Sequence, residues 1–196
     1  WPRCSWEDTS MLIQRNDELL AMCERVRAHG RMAVDTEFHQ EDTFYAKLAL
    51  VQVGIDDRCP GEPLGDDDIY LIDPLADGLQ AGPLAELMVD PEIEVVFHAA
   101  DNDLVIIERW KGEPARGVFD TQVAAAMLGM GAQIGYGKLM EQVCRVSLEK
   151  QESFSNWLAR PLRKAQLAYA RDDVRHLLVA RDRLAARIDE RGRRAW

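Results

Sequence analysis

The order in which β-rich and helix-like segments follow one another narrows the fold of this chain more than any other feature. Three β-rich runs, MAVDTEF (32–38), KLALVQVGI (47–55) and DIYLID (68–73), come in succession with polar stretches between them, which predicts successive antiparallel strands. A short helix around GPLAELMVD (82–90) leads to a fourth strand, IEVVFHA (93–99). Everything later is predicted helical: NDLVIIERWKG, DTQVAAAMLG, YGKLMEQVCRV and a long segment from Leu162 to about Arg191. Ahead of the strands, NDELLAMCERVRAHG (16–30) has apolar residues at Leu19, Leu20, Cys23 and Val26 and stops at Gly30, the pattern of an amphipathic helix with a glycine stop. Three strands, a helix, a fourth strand and then helices predict an α/β sandwich around a mixed sheet.

At 196 residues and 47% hydrophobic, the chain suffices for one domain with a sizeable core. No apolar run approaches the ~18–20 residues a membrane helix needs, and WPRCSWEDTS lacks the basic-then-apolar layout of a signal peptide, so a cytoplasmic protein is expected. Cys4, Cys23, Cys59 and Cys144 are scattered with no CxxC pair, the pattern of buried thiols and not of a disulfide framework or zinc site. DDRCPGEPLGDDD (56–68) reads as an exposed loop whose Asp66, Asp67 and Asp68 form a solvated turn. The chain begins without Met and breaks off in charged helical sequence, RLAARIDERGRRAW, as expected of a domain excised from a longer protein.

The net charge of −10 argues at first against a polyanionic partner. The average hides a split. Residues 1–137 carry 10 Lys and Arg against 26 Asp and Glu, whereas residues 138–196 carry 14 against 8. A basic final third fits either contact with a phosphate backbone or solvated helix faces, while acids elsewhere can hold divalent cations.

Two of those acids are Asp35 and Glu37, at the end of an apolar run with Thr36 between them. Strand side chains alternate between faces, so the two carboxylates converge, and like charges so close repel unless something positive lies between them. Asp103 follows the fourth strand at the opening of a helix, the edge where α/β proteins place ligands. In LAYARDDVRHLL (167–178), Tyr169 and Asp173 are four apart and share a helix face. Each piece alone is commonplace.

Their combination and order are not. Asp-x-Glu on the first strand, FHAADNDL after the fourth and Tyr-x-x-x-Asp on a late helix resemble the tyrosine-containing branch of the DEDD superfamily of 3′-to-5′ exonucleases. DTEFHQEDTFYAKLALVQVG, FDTQVAAAMLG, SLEKQESFSNWLARPL and YARDDVRHLL together resemble the nuclease domain of bacterial ribonuclease D, across about residues 30–185. The resemblance implies a ribonuclease H-like fold in a single domain over 1–196, without the helical, HRDC-type RNA-binding domains toward which the tail leads. It implies a metal-dependent exoribonuclease that removes nucleotides from RNA 3′ ends, notably tRNA precursors.

Carried onto this chain, the resemblance puts the metal ligands at Asp35, Glu37, Asp103 and Asp173, with Tyr169 orienting the attacking water. The implied cofactors are two divalent cations, Mg²⁺ or Mn²⁺, with no organic cofactor. They answer the crowding of Asp35 and Glu37, and without them at least one carboxylate is expected to have a raised pKa. His98 is expected to be a hydrogen-bonded core histidine. Phe38 and His39 are candidates to stack on or cover the terminal nucleotide, Gln122 and Trp157 to shape the substrate cleft, and Lys150, Arg160, Arg163 and Lys164 to hold the backbone. Ala46, Phe154 and Asn156 depart from the family pattern, which bears on local RNA contacts and not on the acids. Two alternatives stay open: a DNA exonuclease of proofreading type, and a catalytically silent nucleic-acid-binding module, although all five positions of the constellation are filled. Protein partners are left unassigned.

Overall fold

A computed structural model describes residues 12–39, 45–148 and 155–193. Among these residues, six strands form one mixed sheet: β1 (Leu12–Ile13), β2 (Arg31–His39), β3 (Lys47–Ile55), β4 (Ile69–Ile72), β5 (Glu94–Phe97) and β6 (Val118–Asp120), in the spatial order β1-β4-β3-β2-β5-β6. β2, β3 and β4 pair antiparallel as predicted, whereas β1 joins β4, β5 joins β2 and β6 joins β5 in parallel. Among the described residues, seven α-helices cover the sheet: α1 (Asn16–His29), α2 (Gly82–Val89), α3 (Asp101–Lys111), α4 (Thr121–Met127), α5 (Tyr136–Cys144), α6 (Lys164–Arg175) and α7 (Leu177–Glu190).

Strand alternation sorts the core into two layers. Met32 and Val34 of β2, with Val51, Val53 and Ile55 of β3, pack against Leu19, Met22, Cys23 and Val26 of α1. Ala33 and Ile69 turn the other way, to Val174, Leu177 and Leu178, and beside them Ala49, Leu50 and Leu71 meet Leu162, Leu167 and Ala170. A strand buried on both faces reads as a continuous apolar run, which is how KLALVQVGI reads. α1 ends where expected, with Gly30 at φ 69 and its N–H returning to Val26 O.

Two expectations change. β1 and β6 went unpredicted, and of β6 only its last residue, Asp120, falls within DTQVAAAMLG, the segment predicted helical. The segment from Leu162 is two helices, not one, with the break at His176 (φ −109, ψ −3). The Arg175 carbonyl accepts from Leu64 N and the Arg175 guanidinium donates to Leu64 O, so α6 is held over β3 and β4 while α7 turns toward α4 and α5. The stretch 56–68 is the exposed loop expected, anchored at one point: Leu64 is 1% exposed and packs over Gly54, where a Cβ would lie 2.3 Å from the Leu64 Cδ1 and would have to displace that side chain. Asp66 and Asp68 pair with Arg175 and Arg25, Asp66 with its side chain still 73% exposed and Asp68 partly buried.

The basic final third is likewise spent largely within the protein. Arg175 pairs with Asp66 and Asp172, Arg181 with Glu94, and Arg183, Arg191 and Arg193 donate to carbonyls at the ends of α5 and α4. No described helix is long and apolar enough to cross a membrane.

Candidate active site

β2 delivers the first two acids. Its register with β3 runs evenly through Asp35↔Gln52 and Glu37↔Leu50 and then slips, Phe38 pairing with Leu48, so a bulge follows the second acid. α6, lying across the same sheet face, brings in the third. Ligand oxygens of Asp35, Glu37 and Asp173 all lie within 4.8 Å of one another.

Asp103 approaches from another side. It lies in the first turn of α3, 7% exposed, and its Oδ1 accepts the Thr36 hydroxyl at 2.5 Å. It therefore stands outside the tight trio, although its charge still acts on Asp35 and Glu37. The turn that presents α3 is strained: Ala99 has φ 57, and the Asp120 carboxylate braces it by accepting from the N–H groups of Ala99 and Ala100. The same carboxylate caps α4 through Gln122 N and Val123 N.

The electrostatics of the cluster are those of crowded anions. Burial, then the charges of Asp173 and Asp103, push Asp35 well above the ordinary carboxylate range. Burial and the charges of Asp35 and Asp103 push Glu37 up to about 9. Burial and the charges of Glu37 and Asp172 push Asp173 up to about 8, against a hydrogen bond from Tyr169 that favours its ionised form. Asp103 rises less, to about 6, because the Thr36 hydroxyl offsets part of its burial. Four acids that resist ionising together are a hard-oxygen donor set lacking positive charge, and a divalent cation fits that set.

The other predicted residues separate into groups. Tyr169 belongs to the cluster through Asp173, with its ring 6.2 Å from that of Trp157. Trp157 is 4% exposed among Leu50, Leu71 and Leu162, a support for Tyr169 and not a wall of a cleft. Phe38 and His39 end β2 partly exposed, just past Glu37. Gln122 is committed elsewhere, its side chain donating to Ile134 O at 3.1 Å. Arg160 is also committed: it reaches Asp73 through Nε and Nη2 at 2.9 and 2.8 Å, and the carbonyls of Ala49, Trp157 and Ala159 take its remaining donors. A guanidinium has five N–H groups, so none is left for a phosphate, and the expectation for Arg160 is corrected to a structural role. Lys150 and Phe154 lie outside the described residues.

Sequence reasoning missed several neighbours of the cluster. Thr36 was passed over as a spacer, and Asp120 carried an N-cap signal ahead of TQVAAAM that would have found it. Tyr136, whose hydroxyl donates to Asp172 O at 3.0 Å, has its acidity suppressed by burial and by the charges of Asp173 and Asp35. The His98 ring lies tilted at 58° to it with centroids 5.5 Å apart, and His98 Nδ1 is 3.0 Å from Thr121 Oγ1. A cleft of about 610 Å³ also opens from Asn102, next to Asp103, past Val105, Trp110 and Leu48 to Tyr45, whose ring is covered by the Arg109 guanidinium.

Residues 11–189 match a family model described as 3′-5′ exonuclease. Among curated proteins, the ribonuclease D of Gluconacetobacter diazotrophicus is 39% identical over 186 residues, covering 95% of this chain and 45% of that protein. Among solved structures, Escherichia coli RNase D, an exoribonuclease involved in structured RNA processing, superposes with a TM-score of 0.82 at 34% identity, covering 92% of this chain and 45% of that one. Brucella melitensis NrnC with bound Mg²⁺ gives a TM-score of 0.70 at 27% identity, covering 85% of this chain and 77% of that one. The chain thus spans less than half the length of the curated relative.

Proposed function

The chain belongs to the 3′-5′ exonuclease family, and from that premise we propose that it is the nuclease domain of a ribonuclease D-type enzyme, hydrolysing nucleotides one at a time from RNA 3′ ends, tRNA precursors among them. The observation that carries this reading is the convergence of Asp35, Glu37 and Asp173 to within 4.8 Å, with Asp103 alongside.

A phosphodiester is anionic, and a ring of carboxylates alone would repel it. Two Mg²⁺ or Mn²⁺ ions bound there supply a lowered water pKa, a clamp on the phosphate and stabilisation of the leaving 3′-oxygen. Asp35, Glu37 and Asp173 would hold one cation and Asp103, with Asp35, would complete the set; each acid releases its proton to do so. Tyr169 keeps the Asp173 carboxylate oriented through its hydrogen bond, and a phenol with an intrinsic pKa of ~10 positions a water and does not deprotonate it at neutral pH. Phe38 and His39, partly exposed beyond Glu37, would cover the terminal nucleotide. NrnC, related at 27% identity, was solved with Mg²⁺, which supports the choice of cation. The E. coli relative's role in structured RNA supports the choice of substrate.

The test is a time course on 3′-labelled RNA and on DNA of matched sequence, with and without EDTA. EDTA-sensitive release of 5′-mononucleotides from RNA, faster than from DNA, is expected. Faster digestion of DNA would instead mark a proofreading-type enzyme, and no digestion of either would mark a silent module.

A further inference from the structure

Gln52 lies in the middle of β3, 0% exposed, and neither its amide nitrogen nor its amide oxygen has a hydrogen-bond partner. A primary amide offers two donors and two lone pairs, and interiors rarely bury one without using them. The other buried glutamine among the described residues shows the usual outcome: Gln166 Nε2 donates to Asn156 O and its Oε1 accepts from Arg163 N.

The register says what Gln52 faces. On one side it is paired with Leu71 of β4, and on the other it lies directly opposite Asp35 of β2. Opposed residues of an antiparallel pair put their side chains on the same face with Cβ atoms ~4.5–5.5 Å apart, so the amide shares the Asp35 face. That face is roofed by α6, which lends Leu167 and Ala170 to the cluster containing Leu50 and Leu71, and Val174 to the cluster containing Ala33 and Ile69. Gln52 thus sits where two apolar clusters meet, and the ionisable group set beside it by the register is the Asp35 carboxylate. A leucine or valine would complete the packing without leaving polar atoms unpaired. An amide retained there needs a partner in some other state of the site.

We infer that Gln52 is a positioning residue: its side-chain N–H donates to the Asp35 carboxylate when that carboxylate holds a cation, fixing the ligand oxygen from the neighbouring strand on the same sheet face. The inference rests on the function proposed above. Ligating carboxylates commonly need such support, and removing a supporting partner typically weakens metal binding about 10- to 100-fold.

The test compares the purified, metal-free full chain with Gln52→Met, which keeps length without a donor, and with Gln52→Leu. Mn²⁺ affinity is read by the loss of the free-ion EPR signal, and metal-free stability by thermal melting. The expected result is Mn²⁺ binding weaker by about 10-fold or more in both variants, with metal-free melting temperatures unchanged or raised because an unpaired amide has gone. Mn²⁺ affinity within twofold of wild type overturns the inference. So does a failure of both variants to fold, which would make the amide a structural requirement. A wild-type chain that binds no Mn²⁺ overturns the proposed function as well, which separates the two failures.

Discussion

Thr36 Oγ1 donates to Asp103 Oδ1 across 2.5 Å, so the residue between the two strand acids fastens the first turn of α3 to β2. Asp103 is 7% exposed, and removing that donor leaves a buried carboxylate short of a partner. Thr36→Val should cost about 1–3 kcal/mol of stability at pH 8 by urea denaturation. A neutral result would mean that the bond contributes nothing to holding α3.

The carboxylate cluster sets a direction for pH dependence. Glu37 and Asp173 ordinarily titrate at 4.5 and 3.8 and are pushed up to about 9 and about 8 in the fold. Between those limits the folded state keeps protons that the unfolded chain has lost. The cluster's contribution to stability is therefore full below about pH 4 and is lost as pH rises through 8 and 9. Metal-free melting temperature should fall from pH 5 to pH 9, and saturating Mg²⁺ should restore it most at the alkaline end. A curve that rises with pH would contradict the crowding.

Asp173→Asn removes one of the crowded charges and one of the ligands together. RNA hydrolysis should fall by at least about 100-fold, while the metal-free protein should melt at the same or a higher temperature at pH 9. A variant as active as wild type would exclude Asp173 from the site.

Tyr169→Phe keeps the ring beside Trp157 and removes the hydroxyl that bonds Asp173. Single-turnover cleavage should slow by about 100-fold and Mn²⁺ affinity should fall by about 10-fold, because the hydroxyl supports a metal ligand as well as positioning the water. Wild-type rate and Mn²⁺ affinity would exclude the hydroxyl from the site.

Arg160→Met tests the corrected role of that residue. Asp73, whose side chain is 2% exposed, would lose its counter-ion, and three backbone carbonyls would lose a donor. Stability should fall by about 3–5 kcal/mol, with the salt dependence of RNA binding unchanged. A flatter salt dependence at wild-type stability would return Arg160 to the phosphate backbone.

Much of the site was legible in order along the chain because it rests on short periods. Alternation alone puts Asp35 and Glu37 on one face, and a four-residue spacing alone puts Tyr169 and Asp173 on another. The resemblance joined those pieces to Asp103 before any coordinate did. The same local signals failed at β1 and β6, whose two and three residues are too few to display a period, and whose pairing depends on β4 and β5 already being in place.

What the sequence determined by itself was the set of elements whose side-chain pattern repeats over several turns or pleats, and the acids that ride on them. Which cations were spoken for was decided only in the tertiary structure. Arg160, Arg175 and Arg181 look alike along the chain as basic residues free for phosphate, yet each is paired with an acid lying 87 or more residues away. Charge acts through space, so the partner of a guanidinium is chosen by the packing that brings acid and base together, and no spacing along the chain records that choice.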